Sequence, residues 1–189
     1  MKRAPPLQGR NALVTAVFTL RLPPNQIAHW ASRYRYPGEP ELMAGPAVAA
    51  RTRGYLLLED LVEFGVWKTP RNRRHYESND PLFVEEVTRI ALSRQTSPRL
   101  SIETLTLLSG FEWPTASVIL HFCHADPYPI LDFRALWSLS CDVPAAYDYS
   151  FWMSYTAFTR RLATQLGHDM RTIDRALWEY SKENQRNGA

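Results

Sequence analysis

Cysteine, glycine and long apolar runs are all scarce in this sequence, and each scarcity excludes a class of protein. The two cysteines, Cys123 and Cys141, cannot form a disulfide framework or a zinc motif, and the spacing of His121 and His124 matches no metal site. Eight glycines and few alternating β-branched runs favour helices over sheets. No apolar run approaches the roughly 18 residues that span a membrane. We therefore expect an all-α, soluble, cytoplasmic protein with no metal and no membrane partner.

The composition is that of one folded domain over residues 1–189, long enough to bury a core. Hydrophobic residues make up 45% and aromatic residues 12% of the chain, which is typical of a globular protein. The net charge of +3 permits a nucleic-acid partner without requiring one. Residues 1–9 have no signal-peptide core and are expected to be a loose tail, followed by an apolar helix over 11–20.

The stretch 101–122 reads as helix, hairpin, helix. Apolar residues recur with helical spacing over 101–108, and Ser109-Gly110 then interrupts the pattern as a tight turn would. Pro114 suits the first turn of a second helix over 115–122, where its missing N–H is not needed.

A second segment, about 128–138, presents Asp132 at the start of another helix. Asp is a favoured N-cap residue because its carboxylate accepts hydrogen bonds from the free N–H groups of the first turn. The role of an N-cap alone would explain Asp132, and the residues by themselves leave that interpretation open.

The segment Leu108–Ser117, LSGFEWPTAS, resembles the hairpin of the helix-hairpin-helix base-excision DNA glycosylases, whose usual form is L-P-G-V-G-x-K-T-A. In that family an invariant aspartate follows the lysine by about eighteen residues. Here Pro114 occupies the lysine position, and Asp132 lies eighteen residues later. The Tyr-Pro-Ile-Leu before Asp132 also resembles the apolar segment that delivers the family's aspartate. The close match covers about forty of the 189 residues.

The resemblance implies a two-lobed helical fold with Asp132 in the cleft as the catalytic residue. Its carboxylate would stabilise the positive charge that develops on the deoxyribose and would orient the attacking water. Pro114 cannot form a Schiff base, so the resemblance implies a monofunctional enzyme with no lyase step. Glu112 replaces the second hairpin glycine, and the arginine usual beyond the aspartate is absent, although Arg134 lies close by. Two cysteines cannot hold the family's iron–sulfur cluster, so no cofactor is expected.

Two segments are predicted to contact the DNA backbone. The hairpin would act as a phosphate clamp through its backbone N–H groups and a helix N-terminus, although an ordinary helix–helix turn remains open. The segment 68–76 is basic without a single acid and is flanked by aromatics, although a solvated loop is its plain alternative. The predicted DNA contacts are Ser109, Gly110, Phe111, Trp113, Thr115, Lys68, Arg71, Arg73 and Arg74. The candidates to line a base pocket are Trp67, Trp30, Tyr128 and Arg134.

These interpretations together predict a monofunctional DNA glycosylase that flips a damaged or modified base out of double-stranded DNA and leaves an abasic site. The substrate is expected among alkylated, oxidised or deaminated bases of DNA repair. It also extends to a bulky base of phage DNA such as glucosylated hydroxymethylcytosine, which would make the protein antiviral. The alternative is a non-catalytic helix-hairpin-helix DNA-binding module, and a third reading is a helical interaction protein. No obligate protein partner is implied.

Overall fold

The computed structural model describes residues 17–185, which form eleven α-helices, two short 3-10 helices and no β-strand. The prediction of an all-α chain is confirmed. In chain order the α-helices are α1 (Ile27–Arg33), α2 (Glu39–Ala44), α3 (Pro46–Arg53), α4 (Leu58–Lys68), α5 (Arg73–Glu77), α6 (Pro81–Leu92), α7 (Pro98–Leu105), α8 (Trp113–Cys123), α9 (Phe133–Ser138), α10 (Tyr149–Leu166) and α11 (Met170–Asn184). The 3-10 helices, Pro24–Gln26 and Pro70–Asn72, precede α1 and α5. The predicted tail 1–9 and most of the predicted helix 11–20 lie outside the described residues, and 17–20 are not helical.

Local sequence signals set the helix ends. Asp80, Asp132 and Asp169 each accept a backbone hydrogen bond from the first turn of the helix that follows, as their N-cap positions predict. Asp148 caps α10 in the same way. Gly167 ends α10 in the left-handed conformation, with φ at 67°, which glycine adopts readily at a helix C-terminus.

The helices pack in two sets around a continuous apolar core. In one set, α11 packs on α1, α9 and α10, and in the other α8 packs on α3, α4, α6 and α7. Every residue of α8 from Thr115 to Leu120 is buried, which is typical of a helix surrounded by others. None of the helices in the part of the chain that the structure describes is long and apolar enough to cross a membrane.

One aromatic ring, that of Tyr76, packs between α4 and the turn that joins α7 to α8. Tyr76 on α5 is fully buried and lies between Gly65 of α4 and Gly110 of the turn. A Cβ at Gly65 would come 2.6 Å from the Tyr76 ring, and one at Gly110 would come 2.8 Å from it. Gly110 also has φ at 84°, a conformation that favours glycine. The turn and α5 therefore form one packed unit.

Candidate functional site

Three hydrogen bonds, to α8, α10 and α11, hold the extended segment that leads to Asp132 and α9. The N–H of Ile130 donates to Asp174 on α11 (3.3 Å), and the hydroxyl of Tyr155 on α10 donates to the carbonyl of Ile130 (2.9 Å). The N–H of Leu131 donates to the Ser117 hydroxyl on α8 (2.8 Å). Asp132 itself accepts the Arg134 N–H on Oδ1 at 2.9 Å. The carboxylate is thus held on a backbone that both sets of helices hold in place.

The second oxygen of Asp132 forms an ion pair with Lys68, the last residue of α4. Lys68 Nζ donates to Asp132 Oδ2, although the two residues are 64 positions apart in the chain. Their side chains are only 14% and 13% exposed. Sequence analysis placed Lys68 with the phosphate contacts, whereas the structure places its ammonium on the candidate catalytic carboxylate. An amine therefore stands at Asp132 even though Pro114 occupies the hairpin lysine position.

The ion pair lies in a pocket of about 240 Å³ with aromatic walls. The aromatic residues of its wall are Tyr34, Tyr36, Phe133, Trp67 and Trp178. Neighbouring rings of the wall meet edge to face, as Tyr36 does with Trp67 at 5.1 Å and with Trp178 at 5.4 Å between ring centroids. Such walls suit a flat heterocycle, because each ring offers a stacking face or an edge.

A second carboxylate, Asp174 on α11, also lines this pocket. It is buried, and Arg171 of the same helix forms an ion pair with it and with Glu39 of α2. Burial raises the pKa of Asp174 to about 6, with the Asp132 charge acting in the same direction and the Arg171 and Lys68 charges acting against it. Sequence analysis missed this residue. The available signal was a charged residue beside Ile173 on the apolar stripe of α11.

Two of the four predicted base-pocket residues line the pocket and two do not. Trp67 forms part of its wall, and Arg134 lies at it with its guanidinium 5.4 Å from the centre of the Trp178 ring. Trp30 does not line this pocket, because it packs on Tyr180 of α11 at 5.2 Å between ring centroids, in the contact between α1 and α11. Tyr128 does not line it either, because it is buried and stacked on Trp152 at 5.3 Å between ring centroids.

The predicted hairpin contacts divide between surface and core. Ser109 and Gly110 are half-buried on the turn, and Trp113 is half-buried at the start of α8. Phe111 is 2% exposed and packs on Tyr76, so its side chain belongs to the core and offers no surface to DNA. The Thr115 side chain is likewise buried, at 5% exposed. Only the backbone of these two positions remains for a phosphate.

The basic segment runs from the last residue of α4 through the 3-10 helix Pro70–Asn72 into α5, and Asn79 joins it to the hairpin. The Asn79 side chain accepts the Ser109 N–H at 2.7 Å and donates to the Ser109 carbonyl at 3.1 Å and to the Tyr76 carbonyl at 2.9 Å. Arg71 and Arg74 are exposed and form no ion pair with the other residues of 17–185. The third exposed arginine, Arg73, pairs with Glu77 at 3.1 Å. The two segments that sequence analysis predicted separately thus form one surface, which begins at Lys68 in the pocket.

Comparisons of this chain with protein-family models, with curated proteins and with solved structures find no match. Within residues 17–185, no group of three or more His, Cys, Asp or Glu side chains is arranged to hold a metal ion. The geometry around Asp132 is therefore the basis for a function. The protein is all-α, and its candidate site is a carboxylate–ammonium pair in an aromatic pocket. The basic segment 68–76 and the tight turn between α7 and α8 lie beside that site.

Proposed function

We propose that this protein is a DNA N-glycosylase that acts on double-stranded DNA, with Asp132 as its catalytic carboxylate. The observation that carries the proposal is the position of Asp132. Its Oδ1 accepts the Arg134 N–H as the N-cap of α9, and its Oδ2 forms the ion pair with Lys68. The side chain lies in a pocket with aromatic walls. Cleavage of an N-glycosidic bond develops positive charge on the sugar, and a fixed carboxylate at that point stabilises the transition state.

The surroundings of the pocket support a DNA substrate. Lys68 in the pocket is followed three and six residues later by the exposed Arg71 and Arg74, and Asn79 joins this segment to the Ser109-Gly110 turn. Basic side chains and backbone N–H groups on one surface suit the phosphates of a duplex. The flipped base would enter between the aromatic walls. The two sets of helices, with the Asp132 segment held by both, are also what a two-lobed helix-hairpin-helix fold would show.

The test is base release from a panel of duplexes that carry alkylated, deaminated, oxidised or phage-modified bases, with alkali to cut abasic sites. The wild type should release one class of base, and Asp132→Asn should release none while it still binds the duplex. Asn is as good an N-cap as Asp, so this change removes the charge and keeps the helix start. Asp148→Asn is the matched control, since Asp148 caps α10 outside the pocket.

The outcomes of this panel separate the competing roles. Release of an alkylated, deaminated or oxidised base would assign the protein to DNA repair, and release of glucosylated hydroxymethylcytosine would assign it to antiviral defence. Binding without any release would favour the non-catalytic DNA-binding module. Failure to bind DNA at all would favour a helical interaction protein.

A second candidate function, base release followed by strand cleavage, is favoured by the contact between Lys68 and Asp132. A lysine amine that has given its proton to Asp132 would attack C1′, forming an N–C bond while the glycosidic bond breaks and the base leaves with its electron pair. The C1′–O4′ bond then opens, with the nitrogen proton passing to O4′, to give a Schiff base. Loss of a C2′ proton then expels the 3′ phosphate and cuts the strand. The monofunctional enzyme and this one differ in product. If cleavage occurs without alkali, and borohydride traps an adduct that Lys68→Gln abolishes, the lyase step is present. A wild type that needs alkali and gives no adduct is monofunctional.

A further inference from the structure

We infer that Phe133 is the side chain that enters the duplex and fills the gap left by the flipped nucleotide, an inference that rests on the proposed glycosylase function. Phe133 is 51% exposed although it lines the same pocket as Asp132. The other aromatic rings of the pocket are at least half-buried. Single exposed apolar side chains are common, but Phe133 is distinguished from the other large exposed ones in residues 17–185 by lining the pocket that holds Asp132.

The backbone explains how one segment serves both tasks. Asp132 is extended, with φ at −144° and ψ at 140°, so successive side chains leave the chain in opposite directions. The Asp132 side chain is therefore directed inwards, where it is 13% exposed, and Phe133 is directed towards solvent. The wedge and the carboxylate are thus held one residue apart on a single rigid segment.

The charge beside Phe133 fits the same role. The Arg134 guanidinium lies 5.1 Å from the centre of the Phe133 ring and supports it from one side. An apolar wedge accompanied by a cation suits a duplex, because the ring replaces base stacking while the cation faces the flanking phosphates. Phe133 also begins α9, which Asp132 caps, so the ring is presented from an ordered helix start.

A wedge residue should raise the rate of base release only where the target base is stacked and paired, and not where the base is already unpaired. The experiment compares the rate of base release from a paired duplex with the rate from the same sequence as a single strand. If the single strand reacts too slowly to measure, a duplex with a mispair at the target base replaces it. Phe133→Ala should lower the rate on the paired duplex by about tenfold or more and change the rate on the unpaired substrate less than about threefold.

Two variants complete the experiment. Phe133→Leu keeps an apolar wedge and should restore most of the rate on the paired duplex. Phe83→Ala, at a Phe on α6 that is 40% exposed and outside the pocket, should leave both rates unchanged.

Equal losses of rate on paired and unpaired substrates in Phe133→Ala would overturn the inference, because the ring would then contact the base inside the pocket. Unchanged rates would overturn it as well, since Phe133 would then have no part in the reaction. In both cases the wild type still releases base and the glycosylase proposal stands. A wild type that releases base from no substrate refutes the proposed function, and the inference falls with it.

Discussion

Breaking the Lys68–Asp132 ion pair from one side should destabilise the fold far more than breaking it from both. Lys68→Met removes the ammonium and keeps most of the apolar stem. The Asp132 carboxylate then stays in a pocket where it is 13% exposed, with the Arg134 N–H as its remaining partner in the described residues. Removing one partner of a buried pair costs about 3–5 kcal/mol. Partial solvation of both groups places the expectation at the lower end, about 3 kcal/mol.

The double variant isolates the interaction from the loss of either side chain. Lys68→Met combined with Asp132→Asn leaves no unpaired charge, and the Asn amide keeps the N-cap of α9. The loss of unfolding free energy in the double variant should therefore be smaller than the sum of the two single losses by at least about 1 kcal/mol, because the two groups touch.

Urea unfolding of the four proteins at neutral pH and low salt measures this coupling, provided that the slope against urea stays constant. In thermal unfolding, each kcal/mol corresponds to roughly 2–4 °C for a protein of this size. The same cycle at Arg99 and Glu103, an exposed pair on α7 at 3.0 Å, is the control and should give at most about 0.5 kcal/mol. A loss below about 1 kcal/mol in Lys68→Met, with no coupling, would refute a direct and nearly buried contact.

Three further predictions address the turn, the basic surface and the second carboxylate. Gly110→Ala should lower the free energy of unfolding by at least about 2 kcal/mol, because a positive φ is combined with a clash against an aromatic ring, and urea unfolding measures it. The double variant Arg71→Ser, Arg74→Ser should weaken DNA binding. In a salt titration, the slope of log K against log salt concentration should fall in magnitude by about two, because two phosphate contacts are lost. Asp174 has a pKa near 6 in the folded protein and about 3.9 when unfolded, so the folded state binds the extra proton between these values. Its contribution to stability is therefore present at low pH and lost as pH rises from about 4 to about 6, and Asp174→Asn should flatten that fall in a pH series of urea unfolding.

Each of these predictions has a control within the chain. Gly54 has φ at 81° but nothing within 4 Å of an added Cβ, so Gly54→Ala should cost only about 1–2 kcal/mol, and an equal cost at Gly110 would contradict the clash. Arg161→Ser, at an exposed arginine of α10, should leave the salt slope unchanged. An equal effect there would show that DNA does not bind specifically to the surface formed by the basic segment and the hairpin. For Asp174, an identical pH slope in wild type and variant would contradict the raised pKa.

Helix positions were readable from the sequence because their signals are local. Asp80 followed by proline, Asp132 and Asp169 are each placed to accept the free N–H groups of a following turn, and these three aspartates cap helices as expected. The apolar stripe of a helix also shows which face is buried. It does not show which other helix covers that face, so Trp30 and Trp67 were equal candidates for the pocket and only Trp67 lines it.

The sequence by itself determined the all-α class and the place of Asp132 at the beginning of α9. Only the tertiary structure brought Lys68 to Asp132 across 64 residues, placed Asp174 in the same pocket and joined the hairpin to the basic segment through Asn79. The physical reason is that helix caps and turns are satisfied within four or five residues of chain. Ion pairs and pockets depend on the relative positions of whole helices, which depend on how every buried face in the core packs at once.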